Sequence, residues 1–417
     1  MRITMVSLGS TGDVRPFILL GRELKRRGHR ITIGAFTDFQ KSVTEAGLEF
    51  YPIAGDAKDL MSHLMSPDAK GAAFLKELDQ AVKQIAPVLL DDITLSCEHA
   101  DALICNFFGS LYYSVAGYWH IPCIQVQYTL MDPNSEAPIS ALPAQHLGRG
   151  WNRFTYSLGY LLISLLEKKY LTPWRKKYDM PLRGLYTSPK YTTGAEEIPV
   201  VYELSEILVP RPRSFGSNIT FTGFWSEEPE PYTPEPGLAA FMEAGEKPVY
   251  IGFGSMVSGN MQDTIDAVID GVEKSGLRAV ISLGWANDRA RGRANDRMYF
   301  VTDVPHSYLF PRVQAVVHHG GAGTTFTGLM NGKPTLIIPF GGDQPFWGER
   351  VRALKCGPRP IPRGKLTGEK LAAALQKLTR RPIYRENAEA IALRLQAEPG
   401  LTRAADFVES WLEEKKQ

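Results

Sequence analysis

Between Val316 and Val351 the chain reads VVHHGGAGTTFTGLMNGKPTLIIPFGGDQPFWGERV, with two histidines, a glycine-rich turn and an Asp-Gln pair in one short span. Gly320, Gly321 and Gly323 let the backbone come close to an anion. A helix starting there would turn the N–H groups of Ala322, Gly323 and Thr324 toward that anion. The hydroxyls of Thr324 and Thr325 can cap the helix or meet a phosphate oxygen. No lysine follows the last glycine, so this is not a Walker loop. His318 and His319 are neighbours on a strand and point to opposite faces. That keeps the two rings off a single metal ion and sends one to the core and the other to the open side. Asp343 accepts hydrogen bonds and Gln344 both donates and accepts, which matches the hydroxyls of a sugar ring. Either half of the span alone is also explained as a plain turn. Together they read as one site for a sugar joined to a diphosphate.

A third group lies near the N-terminus, where GSTGD ends in the carboxylate Asp13. One reading makes Asp13 the N-cap of a helix beginning at Val14. The other makes it a base that takes a hydroxyl proton. One side chain cannot serve both roles fully.

The elements that must position these groups follow from pattern. RITMVSLGSTGDVRPFILLGRELKRRGHRITIGA is an apolar strand, a glycine loop, a helix and a second strand, which make a βαβ unit. Pro16 is expected in the helix's first turn, Phe17, Leu20 and Leu24 on one face, Lys25 to Arg27 at the negative end of the dipole, and Gly28 past its end. Further strands are expected at 102–106 and 122–127. A second series starts at Lys247 and continues at 278–284, 298–304, 315–321 and 334–340. The segment SEEPEPYTPEPG, rich in Pro and Glu, reads as linker. The expected organisation is an N-terminal Rossmann-like domain at 1–210, a linker at 211–240 and a C-terminal Rossmann-like domain at 241–395. A last helix at 396–417 is expected to pack back on the N-terminal domain. Both glycine loops fall at strand C-termini, where open parallel sheets bind ligands. A nicotinamide or flavin site is not expected, because the first loop is not GxGxxG and no acidic residue ends the second strand.

The bulk composition narrows the classes. At 417 residues the chain is too long for one core, and 44% hydrophobic with 22% charged residues is ordinary for a globular protein. A formal charge of +2 gives no reason to expect nucleic acid as a partner. Four scattered cysteines argue against a disulfide framework or a zinc site. MRITMVSLGS has no signal-peptide apolar region, and YSLGYLLISLL is too short to cross a bilayer, so a cytoplasmic location is expected.

GSTGDVRPFILLGRELKRRGH, PVYIGFGSM and DVPHSYLFPRVQAVVHHGGAGTTFTGLMNGKPTLIIPFGGDQPFW together resemble the UDP-dependent glycosyltransferases of the GT-B fold. Within them the chain is most similar to bacterial relatives of sterol 3-beta-glucosyltransferases. The resemblance implies an α/β GT-B fold of two Rossmann-like parallel-sheet domains facing a central cleft. It implies inverting transfer of glucose or another hexose from a UDP-sugar, a co-substrate, to a hydroxyl, with no metal and no cofactor. On that resemblance His319 and the backbone of Gly321, Ala322, Gly323 and Thr324 would hold the diphosphate, with Ser255 near it. Asp343 and Gln344 would bind the donor sugar, and Val304 and His306 would approach the nucleoside. Plant members of the superfamily carry a Trp where this chain has Asp303, so the uracil is expected to stack on Trp285 instead. Asp13 would be the catalytic base.

Aromatics in NFFGSLYYSVAGYWH and VQYTLMDP, among them Phe107, Phe108, Tyr112 and Tyr128, are expected to line an acceptor pocket for an apolar alcohol such as a sterol, polyphenol or lipid. The amphipathic run HLGRGWNRFTYSLGYLLISLLEKKYLTPW is expected to make weak peripheral contact with a membrane surface. Three alternatives stay open: a dTDP-sugar tailoring enzyme, a sugar-nucleotide epimerase of the same fold, and a partner protein without chemistry.

Overall fold

Short runs of branched apolar residues, most of them separated from the next by a helical segment, pair side by side into two parallel sheets. The computed structural model describes residues 1–56, 79, 83, 86, 88–106, 109–139, 147–181, 192–193, 196–226, 231–254, 261–282, 284, 291–302 and 304–415. In the N-terminal half the strands are β1 (Arg2–Val6), β2 (Arg30–Phe36), β3 (Glu49–Ile53), β4 (Ala102–Cys105), β5 (Cys123–Gln127), β6 (Val200–Tyr202) and β7 (Ile219–Phe221). They lie in the order β3-β2-β1-β4-β5-β6-β7, every pairing parallel. The C-terminal half has β8 (Val249–Gly252), β9 (Ala279–Ser282), β10 (Met298–Phe300), β11 (Ala315–His318) and β12 (Thr335–Ile337). Their order is β10-β9-β8-β11-β12, again parallel throughout. Every residue of β4, β5, β8 and β11 is buried, as expected of strands covered on both faces.

Each sheet reverses its winding at one place, between β1 and β4 and between β8 and β11. Val6 pairs with Cys105 and Gly252 with His318, so the chains leave paired strands at the same level. The connections then turn to opposite faces and leave a crevice at the strand ends, which is where such sheets bind ligands.

Helix α1 (Thr11–Arg26) follows β1 and differs from expectation at its start. It begins at Thr11 rather than Val14, with Ser10 as N-cap and Asp13 as its third residue. Pro16 therefore sits in the second turn, not the first, and withholds a hydrogen bond from the Gly12 carbonyl. The C-terminal end is as the pattern suggests. Gly28 has φ +96°, its N–H bonds the Lys25 carbonyl at 2.9 Å, and the His29 N–H reaches the Leu24 carbonyl at 3.1 Å. That pair of bonds is a Schellman closure, and the left-handed φ is what favours glycine.

The last helix, Gly400–Glu414, buries Ala404, Ala405, Val408 and Leu412 in the core that contains β1, β2 and β4. Arg27, the residue just past α1, fixes it, donating to Asp406 at 2.6 Å and Glu409 at 2.7 Å.

One core group carries a titration. Glu203 follows β6, is buried, and accepts from the Trp225 N–H at 3.4 Å. Burial pushes its carboxyl up to about 8, against the pull of that bond and of the Arg15 charge. A carboxyl raised in the folded state contributes stability below its ordinary pKa and loses it as pH climbs through the folded value. Glu203→Gln should therefore match the wild type's Tm at pH 5 and exceed it at pH 9. Equal Tm values at both pH values would show that Glu203 is not the group titrating.

Candidate functional site

The loop from β1 into α1 folds back on its own carboxylate. Ser10 donates to Asp13 Oδ2 through its backbone N–H at 2.6 Å and its Oγ at 2.9 Å. A Cβ on Gly9, which has φ +142°, would lie 2.3 Å from the same oxygen, so glycine is required there. The other oxygen, Oδ1, accepts from the Tyr128 hydroxyl at 2.8 Å. Behind this pair Asn106, just past β4, donates to the Leu8 carbonyl at 2.7 Å and accepts from Tyr112 at 2.8 Å. The ends of β1, β4 and β5 thus converge on one carboxylate. Burial pushes Asp13 above the usual carboxylate range, although the bonds from Tyr128 and Ser10 oppose it. Burial likewise raises Tyr128, which stays a protonated donor.

Two expectations change here. Asp13 is not the N-cap; its capping role comes from the third helical position and uses one oxygen. Tyr112 is fully buried with its hydroxyl committed to Asn106, so it packs in the core instead of lining an acceptor pocket.

On the other sheet, His318 ends β11 and is fully buried, and its Nδ1 accepts from the Gly320 N–H at 3.0 Å. His319 turns the other way and is partly exposed, as strand alternation predicts. Its ring lies beside Gly254 and over Gly321, where a Cβ would meet Nε2 at 2.6 Å. Burial, and then the nearby His306, depress His319 to about 4, so the ring is neutral at pH 7. Its Nδ1 is buried with no hydrogen-bond partner among the described residues.

The next element is α2 (Ala322–Met330), capped by Gly321, which has no side chain to receive the first amides. The first helical bond is Thr325 N–H to the Gly321 carbonyl at 3.0 Å. The N–H groups of Ala322, Gly323 and Thr324 precede it and have no intrahelical acceptor. Thr325 Oγ1 is spent on the Gly321 carbonyl at 2.9 Å, which leaves the half-buried Thr324 to offer the hydroxyl of the pair. Gly323 has open space where a Cβ would stand, and its φ is not in the left-handed region.

Asp343 caps α3 (Gln344–Ala353), and its Oδ2 accepts from Trp347 Nε1 at 2.9 Å. Gln344 is buried, and its Oε1 accepts from the N–H groups of Phe340 (2.7 Å) and Gly341 (3.2 Å). The carboxamide oxygen expected to meet a sugar is thus spent on holding the loop that carries Asp343. Burial pushes Asp343 up to about 6; Trp347 opposes this, and the charge of Asp13 adds to it. His306 stacks on Phe310 at 4.4 Å and lies 3.1 Å from the Tyr250 hydroxyl. Burial and the charge of Arg15 lower it to about 4. Val304, two residues earlier, is half-buried. The charges of Asp13 and Arg15 on the first sheet's side thus bear on Asp343 and His306 on the other. Ser255, Trp285, Asp303, Phe107 and Phe108 lie outside the described residues.

Two doubly wound parallel sheets opening onto one cleft, with a glycine-capped helix on one side and a buried carboxylate on the other, are the arrangement of GT-B glycosyltransferases. Comparison agrees along the whole chain. Residues 3–104 match the glycosyltransferase family 28 N-terminal domain, and residues 276–410 match the erythromycin biosynthesis protein CIII-like C-terminal domain. Two sterol 3-beta-glucosyltransferases of Arabidopsis thaliana are 34% and 30% identical to it, over 100% and 97% of this chain and 66% and 67% of theirs. One of Pichia angusta is 30% identical over 99% of this chain and 34% of its own length. The chain thus spans about two thirds of these plant relatives and about a third of that fungal one. Among solved structures, the glycotransferase of kitacinnamycin superposes with TM-score 0.73 at 21% identity, covering 98% of each chain. A calicheamicin glycosyltransferase gives 0.72 at 19%, covering 100% of this chain and 99% of that one. The chain belongs to the GT-B glycosyltransferase family that includes the sterol 3-beta-glucosyltransferases.

Pattern reading put Tyr128 in an acceptor pocket and missed its bond to Asp13. The signal was available: β5 neighbours β4, which neighbours β1, so residues just past these strands must meet. Trp347, which holds Asp343, was also missed; it lies one helical turn beyond it. Because the Tyr128 hydroxyl stabilises the ionised carboxylate, Tyr128→Phe should move the Asp13 titration to higher pH. Carboxyl-carbon NMR of aspartate-labelled protein measures this. An unmoved midpoint would mean that the bond does not bear on the Asp13 charge.

Proposed function

We propose that the chain is an inverting, metal-independent hexosyltransferase moving glucose from UDP-glucose to the hydroxyl of an apolar alcohol such as a sterol, polyphenol or lipid. The observation that carries this reading is the pairing across the cleft. A carboxyl raised by burial at one sheet's switch point stands within electrostatic reach of the glycine-capped loop system at the other. The names of the relatives support the sterol-like acceptor.

In this reading the acceptor hydroxyl gives its proton to Asp13 as its oxygen bonds to the anomeric carbon. The bond from that carbon to the diphosphate breaks in the same step, with inversion. Negative charge gathers on the leaving diphosphate. The amides of Ala322, Gly323 and Thr324, the Thr324 hydroxyl and the N–H of His319 receive it. Donors fixed where charge develops lower the barrier most. Asp343 accepts from a sugar hydroxyl with the oxygen that Trp347 does not occupy. The loop of Val304 and His306 meets the nucleoside. An alcohol of this kind gathers in lipid, and weak peripheral membrane contact belongs to the same reading.

The test is direct. The protein is incubated with UDP-glucose, and separately with dTDP-glucose, beside a panel of sterols and polyphenols, and products heavier by one hexose are sought by mass spectrometry. Asp13→Ala should reduce turnover by about a hundredfold to ten-thousandfold. His319→Ala should slow the same step. An epimerised donor with no transfer would overturn the reading, and full activity of Asp13→Ala would remove it as the base. A preference for dTDP-glucose would correct the nucleotide alone.

Gly323 offers a second test, because neither its backbone nor its packing asks for glycine. Gly323→Ala should raise helix stability by up to about 1 kcal/mol. It should also weaken UDP binding about tenfold, since a methyl at the helix start stands where the diphosphate approaches. Tighter or equal UDP binding by calorimetry would place the diphosphate elsewhere.

A further inference from the structure

Over its first turns the 29-residue helix Arg149–Lys177 holds Asn152, Thr155 and Tyr156 against the protein and leaves large apolar side chains outside, while further along Leu171 and Trp174 are buried. On the inner side Asn152 donates to the Ser135 carbonyl at 2.9 Å and Tyr156 accepts from Asn134 at 2.7 Å. Thr155 accepts from the Ile139 N–H at 3.0 Å, and Tyr160 donates to the Met131 carbonyl at 2.8 Å. Asn152, Thr155 and Tyr156 are all buried. On the outer side Trp151, Phe154, Leu158, Leu161 and Leu165 follow one another at alternating spacings of three and four. At 3.6 residues per turn that keeps them within an arc of about 80°. All five are exposed, by 38 to 52%. Single exposed leucines need no explanation, but a continuous apolar stripe does.

The charge around the stripe points to its occupant. No acidic residue occurs between 147 and 166, and residues 147–177 hold seven basic residues and one acidic in a chain of net charge +2. Lys169 and Lys177 reach back to Asp79 and Asp91. Arg149, Arg153, Lys168 and Lys176 have no ion-pair partner among the described residues and are exposed. Two copies of the stripe packed on each other would bury the leucines but bring surplus positive charge together. An anionic lipid surface satisfies both features: Trp, Phe and Leu enter the headgroup boundary and the basic groups meet phosphate. Among the described residues no helix is long and apolar enough to cross a membrane, so the helix would lie in the surface.

We infer that the outer face of helix Arg149–Lys177 is a docking surface for anionic membrane lipid, through the stripe from Trp151 to Leu165 and the exposed Lys168 and Lys176 that follow it. This deepens the proposed reading of an apolar acceptor and rests on it only for its purpose, not for its evidence. The full chain is co-sedimented with vesicles of phosphatidylcholine alone and of phosphatidylcholine with about a third phosphatidylserine. Binding should be at least about tenfold stronger to the anionic vesicles. Phe154→Ser with Leu158→Ser should lower it about tenfold or more while leaving Tm unchanged, because both side chains are exposed. Lys168→Gln and Lys176→Gln should each cut the anionic preference about fivefold. Absence of vesicle binding, or binding untouched by the serine pair, overturns the inference. So does a dimer in sedimentation velocity that the serine pair dissolves. Transfer of glucose to a water-soluble alcohol is assayed separately. Its loss without loss of vesicle binding fails the catalytic reading alone, and the converse fails this one alone.

Discussion

The site depends on a carboxylate kept where charge is costly. Asp13 is held by Ser10 through one oxygen and by Tyr128 through the other, and protein surrounds it closely enough that burial still outweighs those bonds. Without the donors, burial alone would push the group higher still. Without the burial it would be an ordinary solvated carboxylate and a weak base. The balance needs strand ends in the order β1, β4, β5, since each supplies one part of the cage. The capping contact uses Oδ2 alone, and Oδ1 meets Tyr128 instead.

The opposite wall solves a complementary problem with almost no charged side chains. His319 is neutral, Gly321 contributes no cap, and Gly323 fills no space. What remains is a row of amides at a helix start, positive without a counter-ion of its own. Asp343 faces the same cleft with its carboxyl raised, in part by Asp13. Two carboxyls repelling each other across a gap favour a ligand that brings hydroxyls and a leaving anion between them, each directed to its own wall.

Much of this was legible from residue order, and the failures have specific causes. The two sheets followed from apolar runs between helical segments, and the opposite facing of His318 and His319 from strand alternation. The start of α1 was misplaced because Asp is a common N-cap and Ser10 is an equally good one; only the bond from the Ser10 N–H to Asp13 tells them apart. Gln344 was assigned to a sugar by its functional group. A carboxamide matches two backbone N–H groups just as well as two hydroxyls, and the tight turn at Phe340 and Gly341 supplies those first. Tyr112 was placed in a pocket because aromatics near strand ends look alike until a partner such as Asn106 claims one.

The helix Arg149–Lys177 shows the same limit in another form. Its period says that it has two faces, and hydropathy ranks the leucine face as the one to bury. Hydropathy assumes that water lies on the far side. Here the inner face is held by hydrogen bonds to residues 131–139, and those bonds are directional and specific in a way that leucine contacts are not. Once Asn152, Thr155, Tyr156 and Tyr160 have fixed the helix's rotation, the leucines have no choice of direction. An outward apolar stripe then reports the medium the protein meets, because a sequence shaped only by water would have no reason to place Trp151, Phe154 and three leucines on that arc.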